Sequence, residues 1–168
     1  MGAAGRENVL STARVYAAAM RAAAECALRV SAVGDEERAG EARRGARATL
    51  ERLRALLSPD RWPQGTAGPE PVALEAVCAG ELSRADAAPN PEAWDAAAQH
   101  FVALGLPFEL AYVRWRQAEA LILGPGDRTA AADALREAAD LAAHLGAPLL
   151  AAEVAGLARR ARVSLEAA

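Results

Sequence analysis

Leu104-Gly105-Leu106-Pro107 and Leu145-Gly146-Ala147-Pro148 are two copies of one short motif, placed 41 residues apart. In each copy, glycine suits the left-handed position just past the end of a helix. Proline suits the first turn of the next helix, because an N–H at that position has no partner within the helix. Each copy therefore ends one helix and begins another, and its repetition predicts an array of helical hairpins.

Apolar residues on both sides of these motifs recur at helical spacing. They predict a hairpin over 90–123 and a final hairpin over 127–165, preceded by a first hairpin over 8–57, a proline-rich loop over 58–71 and a linking helix over 72–88. One hairpin cannot bury its own apolar face, so the hairpins must stack. The expected fold is all-α, with about seven helices arranged as antiparallel hairpins in a short tetratricopeptide-like α-solenoid. We expect a single domain over residues 1–168.

The composition limits what such a domain binds. Hydrophobic residues make up 53% of the chain but aromatic residues only 4%. This composition is rich in Ala and Leu and favours helices. The net charge of −3 and the pI near 5.5 lack the basic footprint of nucleic-acid binding, so we expect no direct contact with DNA or RNA. The chain has no apolar run long enough for a membrane span and no signal peptide, so the expected location is the cytoplasm.

The aromatic residues and the two cysteines are candidates for the core. The aromatic side chains of the hairpin 90–123 have helical spacing, which predicts a packed core and leaves a ligand groove as the alternative; they are Trp94, Phe101, Phe108, Tyr112 and Trp115. Trp62 is expected to anchor the loop on the helices. Cys26 and Cys78 have no metal-binding spacing, and we expect both to be buried free thiols.

Catalytic signatures do not occur in the sequence. Gly124-Pro125-Gly126-Asp127 follows a helix, and the chain contains no Lys, so a turn with an N-cap is expected there instead of a phosphate-binding loop. His100 and His144 belong to no two-histidine metal pattern. We therefore predict that the chain is not an enzyme and has no catalytic, cofactor-binding or metal-binding residue. An unrecognised small-molecule enzyme is a remote alternative.

Several segments of the C-terminal half resemble the last tetratricopeptide-like repeats of large actinobacterial LuxR-type transcriptional regulators, the ATP-binding, maltose-activator-like class. They are Pro91-Glu92-Ala93-Trp94, Leu104-Gly105-Leu106-Pro107, residues 110–121, Gly126-Asp127-Arg128 and Leu135-Arg136-Glu137-Ala138. The segment Leu157–Arg162 resembles the helix that precedes the DNA-binding domain of that family.

The resemblance implies a modular regulator with an ATP-binding switch domain, a helical-repeat sensor arm and a C-terminal helix-turn-helix. The 168 residues contain no Walker motif, and Ala168 lies about where the family's DNA-binding domain begins. We therefore expect either a sensor arm of such a regulator or a stand-alone protein of the same lineage.

The expected function is that of a non-catalytic interaction or sensor module in transcription regulation and signal transduction. It would bind a protein segment or a small-molecule inducer, with no cofactor. From helical phase, the residues expected to face a concave groove are Glu92, Asp95, Gln99, Arg136, Asp140 and His144. The alternative is a stand-alone helical scaffold or a homodimeric protein–protein interaction domain, so a homo-oligomer remains open.

Overall fold

The computed structural model describes residues 3–62, 67–125 and 127–165, with side chains from residue 8 onward. These residues form seven α-helices and no strand. The helices are α1 (Ala3–Ala32), α2 (Glu36–Leu57), α3 (Pro69–Ala85), α4 (Pro91–Leu104), α5 (Pro107–Leu123), α6 (Arg128–His144) and α7 (Pro148–Ala161). The prediction of an all-α fold built from helical hairpins is confirmed.

Most predicted helix boundaries agree with the structure, and the differences lie at the two ends of α3, at the N-terminus of α1 and at the C-terminus of α7. Helix α7 ends at Ala161, four residues before the predicted end of the final hairpin. Helix α1 begins at Ala3, five residues before the predicted start of the first hairpin. Helix α3 begins at Pro69 instead of residue 72, because proline is well suited to a first helical turn. The predicted loop 58–71 is shortened further by a 3₁₀ helix at Pro59–Arg61. Its residues 63–66 lie outside the described residues.

The chain divides into two compact units, which we call the N-terminal unit (Met1–Ala88) and the C-terminal unit (Pro89–Ala168). The division coincides with the predicted border between the linking helix 72–88 and the hairpin 90–123. Each unit has its own packed helices. That residues 1–168 form a single domain stays a prediction.

In the N-terminal unit, the helix predicted as a link packs against both helices of the first hairpin. Helix α3 contacts α1 and α2, and α1 contacts α2. The helices can approach each other closely because the side chains between them are small. Ala24, Ala27 and Ala85 form one fully buried cluster. This unit is therefore a bundle of three helices.

A buried charge network also joins α1 to α3. The side chain of Glu81 is fully buried, and its carboxylate accepts a hydrogen bond of 2.7 Å from Arg84. The guanidinium of Arg84 also lies 3.6 Å from the carboxylate of Glu25 on α1. A buried charge is tolerated only when it is paired and hydrogen-bonded, and Arg84 on the same helix meets that requirement for Glu81. The carboxylate of Glu25, which is 45% exposed, adds a longer contact from α1.

Trp62 anchors the segment after α2, as predicted. Its ring is buried with Val9 and Ala67, and the partly buried Leu56 and Leu57 pack against the cluster. The indole N–H donates a hydrogen bond of 3.1 Å to the carbonyl oxygen of Leu56. Burial of the ring and satisfaction of its polar group together explain the position of this aromatic residue.

The two cysteines differ, and the expectation for one of them is wrong. Cys78 is a buried free thiol, whereas Cys26 is an exposed free thiol. The buried row of α1 runs through Met20, Ala24 and Ala27, which turns position 26 away from the core. Burial raises the pKa of the Cys78 thiol to about 12, and the carboxylates of Glu75 and Glu81 add to that effect.

In the C-terminal unit, both copies of the repeated motif adopt the predicted turn. Gly105 and Gly146 have φ values of 64° and 60°, in the left-handed region. In the first copy, the N–H of Leu106 bonds to the carbonyl of Phe101 and that of Gly105 to Val102, the hydrogen-bond pattern of a Schellman turn. The second copy has the same bonds. Pro107 and Pro148 then open α5 and α7.

Helix α5 lies at the centre of this unit, with contacts to α4, α6 and α7. Tyr112 stands between two indole rings: its ring centroid is 6.2 Å from that of Trp94 and 5.8 Å from that of Trp115, both in edge-to-face geometry. The small side chains of Ala111 and Ala118 leave room for these rings. The core prediction is therefore confirmed for four of its five aromatic residues.

Phe108 is the exception, since 49% of its surface is exposed. It lies in the first turn of α5, directly after the bend, where neighbouring helices cover less of a side chain. Its helical phase alone suggested burial, but phase does not report how close a residue lies to the end of a hairpin.

None of the described helices combines the length and apolar character that crossing a bilayer requires.

Candidate functional site

A shallow depression on the C-terminal unit is lined by residues from three helices, in the region where the sequence predicts a groove. It has a volume of about 330 Å³. Its lining residues are Pro91, Glu92, Asp95, Ala96 and Gln99 from α4, Gln117 and Leu121 from α5, and Ala130 from α6. We call it the α4–α6 groove.

Helix α4 presents one polar face to the groove and one apolar face to the core. Glu92, Asp95 and Gln99 follow each other at intervals of three and four residues, which places them on one side of a helix. Four buried residues occupy the opposite side: Trp94, Ala97, Ala98 and Phe101. The helix start is fixed because the side chain of Asn90 accepts a hydrogen bond of 3.0 Å from the N–H of Ala93.

Asp95 is held in place by three side chains. Gln99 donates to one carboxylate oxygen at 2.7 Å, and Arg114 and Gln117 donate to the other at 3.0 and 3.2 Å. Arg114 also donates to the amide oxygen of Gln117 at 2.7 Å, so the donors are themselves linked. The polar wall of the groove is therefore preorganised before any ligand binds.

Arg114 connects all three helices of the groove. From its position on α5 it pairs with Asp95 on α4 at 3.0 Å and with Glu137 on α6 at 2.8 Å. The arginine is shielded, with 19% of its side chain exposed, whereas the two carboxylates are 41% and 40% exposed. One guanidinium thus pairs with carboxylates on both neighbouring helices, α4 and α6.

The surroundings of Asp95 keep its carboxyl group ionised. Partial burial raises its pKa, but hydrogen bonds from Gln99, Arg114 and Gln117 and the charge of Arg114 together lower the pKa below its ordinary value. No ion pair joins Glu92, at the exposed edge, to a described residue. The groove and its immediate support therefore contain three carboxylates and one guanidinium, an excess of negative charge.

Three of the six residues predicted to face the groove line it, and three do not. Glu92, Asp95 and Gln99 come together on its α4 side. Arg136, Asp140 and His144 are not among its lining residues, and Arg136 instead forms an ion pair of 2.8 Å with Asp133. The 41-residue offset takes Asp95 to Arg136 and Gln99 to Asp140, with His144 four residues further on, and it assumes that α6 repeats the phase of α4. The phase of each helix is set by its contacts with α5. The sequence motif carries no information about those contacts.

Helix α5 supplies the residues that the sequence prediction missed. Gln117 and Leu121 line the groove, and Arg114 supports it from below the surface. The signal was present but unused: the buried row of Ala111, Trp115 and Ala118 leaves positions 114 and 117 at the border of the buried face. A charged and an amide side chain three residues apart at such a border are well placed to meet polar groups of a neighbouring helix.

The lowered pKa of Asp95 makes this carboxyl group a poor general acid or base near neutral pH. A general acid or base works best with a pKa near the operating pH, whereas the pKa of Asp95 is shifted away from neutrality. The thiol of Cys78, in the other unit, stays protonated at neutral pH and is buried. In the described part of the chain, no cluster of three or more His, Cys, Asp or Glu residues has the geometry to hold a metal ion.

Comparison with known proteins gives no further guide to the site. Neither the protein-family models nor the curated proteins and solved structures yielded a match to this chain. The interpretation of the groove therefore depends on its own geometry and charge.

The network around Asp95 predicts a specific dependence of stability on pH. A carboxyl group with a lowered pKa in the folded state stabilises the fold above its ordinary value of 3.8, and this contribution is lost as the pH falls through the folded-state pKa. The variant Asp95→Asn should therefore have a smaller free energy of unfolding than the wild type at pH 7. This difference should be smaller at pH 3, below the ordinary pKa of 3.8, than at pH 7, as measured by urea denaturation.

Asp140→Asn is the matched control, because Asp140 is exposed on α6 and forms no ion pair with a described residue. It should leave the free energy of unfolding close to that of the wild type at both pH values. A deficit of Asp95→Asn that is equally large at pH 7 and near pH 3 would show that the charged form of Asp95 does not carry the effect.

Proposed function

We propose that this chain is a non-catalytic helical-repeat interaction module and that the α4–α6 groove binds a segment of a partner protein. The observation that carries the proposal is the groove itself, whose polar wall is fixed in advance by the hydrogen bonds between Asp95, Arg114 and Gln117. Preorganised polar groups around an apolar floor lower the cost of ordering a ligand. Leu121, Ala96 and Ala130 supply that floor.

The charges favour a basic partner segment. Glu92, Asp95 and Glu137 contribute three negative charges, and Arg114 contributes one positive charge. An Arg or Lys side chain of the partner pairs with Glu92 at the exposed edge, where no described residue neutralises that carboxylate. An apolar residue next to it in the partner packs on Leu121. Complementary charge of this kind increases the rate and the specificity of association.

The wider context that we propose is a transcriptional regulator. Support comes from the resemblance of residues 91–165 to the repeats that precede the DNA-binding domain of LuxR-type regulators. In that context the module acts in the cytoplasm as a sensor arm, and binding shifts the arm between two arrangements through its different affinities for them. A helix-turn-helix encoded in the same reading frame beyond Ala168 would support this context, and a stop codon there would contradict it.

Binding of a basic segment is tested by selecting ligands from a random peptide library displayed on phage, with the full chain immobilised. We expect the selected peptides to share an Arg or Lys next to an apolar residue. Their affinity for the chain is then measured by fluorescence anisotropy. Reversing the charge at the groove edge with Glu92→Arg should weaken binding about tenfold, through repulsion of the basic side chain.

Glu109→Arg is the matched control. Glu109 also lies in the first turn of a helix, so the variant has a similar effect on the helix dipole, but this residue does not line the groove. It should keep the affinity within about twofold of the wild type. The proposal fails if the selected peptides lack basic residues, or if the two variants weaken binding equally.

A further inference from the structure

A second concave site lies at the end of the C-terminal unit where α5 ends, α6 begins and α7 ends. It is an open cleft of about 600 Å³. Three arginines line it, Arg128, Arg160 and Arg162, and the apolar side chains beside them include Leu121, Ile122 and Val163. We call it the arginine cleft.

The charge of this cleft is opposite to that of the chain as a whole. The chain has a net charge of −3, yet none of the lining residues is acidic. Arg160 and Arg162 form no ion pair with the residues that the structure describes, whereas Arg114 and Arg116 of the same unit are paired with carboxylates. Guanidinium groups remain charged at any physiological pH, so the cleft concentrates positive charge without a partner from its own walls.

The backbone acceptors at this end of α7 are already occupied. Arg128 donates a hydrogen bond of 3.0 Å to the carbonyl oxygen of Ala161. The carbonyls of Ala158 and Arg159 accept bonds from the N–H groups of Val163 and Arg162. These carbonyl groups therefore do not account for the positions of the Arg160 and Arg162 side chains.

Arg162 occupies a position where this unit otherwise uses glycine. Helix α7 ends in the same Schellman turn as α4 and α6, and Arg162 has a φ of 56° where the others have Gly105 at 64° and Gly146 at 60°. A residue with a Cβ pays a conformational cost in the left-handed region that glycine avoids. Local folding thus favours glycine here, although Ala87 after α3 takes the same left-handed position with a φ of 51°.

We infer that the arginine cleft binds a small molecule that carries a phosphate monoester. The planar, forked guanidinium groups match the geometry of phosphate oxygens and form charge-assisted hydrogen bonds with them. Leu121, Ile122 and Val163 receive the apolar part of the same molecule. The volume lies within the range of about 300–1,000 Å³ that is usual for small-molecule sites.

This site extends the proposed function and does not depend on it. The α4–α6 groove carries excess negative charge and is proposed to bind a basic protein segment, whereas the cleft carries positive charge and takes a small anion. Each site has its own ligand and its own variants. The failure of one proposal therefore leaves the other intact.

The test measures binding of phenyl phosphate, benzoate and inorganic phosphate to the full chain by isothermal titration calorimetry at constant ionic strength. We expect saturable 1:1 binding of phenyl phosphate, tighter than that of inorganic phosphate because of the apolar wall. Arg160→Gln should weaken binding of phenyl phosphate about tenfold, since it removes a charge-assisted pair. Arg44→Gln removes the same charge from an exposed residue of α2, which does not line the cleft, and should change the affinity less than about twofold.

Arg162→Gly separates binding from folding. We expect this variant to melt at a higher temperature than the wild type, because glycine relieves the left-handed conformation, and to bind phenyl phosphate at least about tenfold more weakly. Four results would overturn the proposal: no saturable binding of phenyl phosphate, equal losses in Arg44→Gln and Arg160→Gln, benzoate binding as tight as that of phenyl phosphate, or tighter binding of a short DNA duplex or a phosphopeptide.

Discussion

A left-handed glycine between two helices is the constraint on which the C-terminal unit depends. At Gly105 and at Gly146 the backbone reverses within one residue, and a proline two residues later starts the next helix. An added Cβ would meet no atom within 4 Å at either glycine, so their requirement is conformational and not a matter of space. The sharp reversal brings α5 against α4 and α7 against α6, and it places the edge-to-face rings of the core in contact.

Both proposed sites follow from the central position of α5. One side of this helix buries Tyr112 and Trp115, which leaves Arg114 and Gln117 at the border, where they fix Asp95 and the wall of the groove. Leu121, near the end of α5, lines both the α4–α6 groove and the arginine cleft. The unit thus presents two neighbouring surfaces of opposite charge on a single packed scaffold, an arrangement that suits a module that binds two different ligands.

The sequence predicted what local rules control. Glycine, proline and capping residues determined the starts of α4 to α7 and the ends of α4 to α6, and the apolar spacing identified Trp94 and Trp115 as core residues. Prediction from the sequence failed where packing between helices determines which side chains are buried and which line a site. The exposure of Phe108 depends on its place beside a bend. The phase of α6 depends on contacts with α5, and Arg136, Asp140 and His144 do not line the α4–α6 groove. The pairing of Arg114 with two other helices is likewise a property of the assembled unit.

The free energies of unfolding of Gly105→Ala, Gly146→Ala and Gly45→Ala test the central claim most directly. Gly45 lies inside α2 with open space around it, so alanine there should stabilise the chain by about 0.5–1 kcal/mol. At Gly105 and Gly146 the same substitution should cost about 1–2 kcal/mol each, because alanine must adopt the left-handed conformation. If alanine at the two bends is as favourable as at Gly45, the bends do not depend on left-handed glycine, and this account of the fold is wrong.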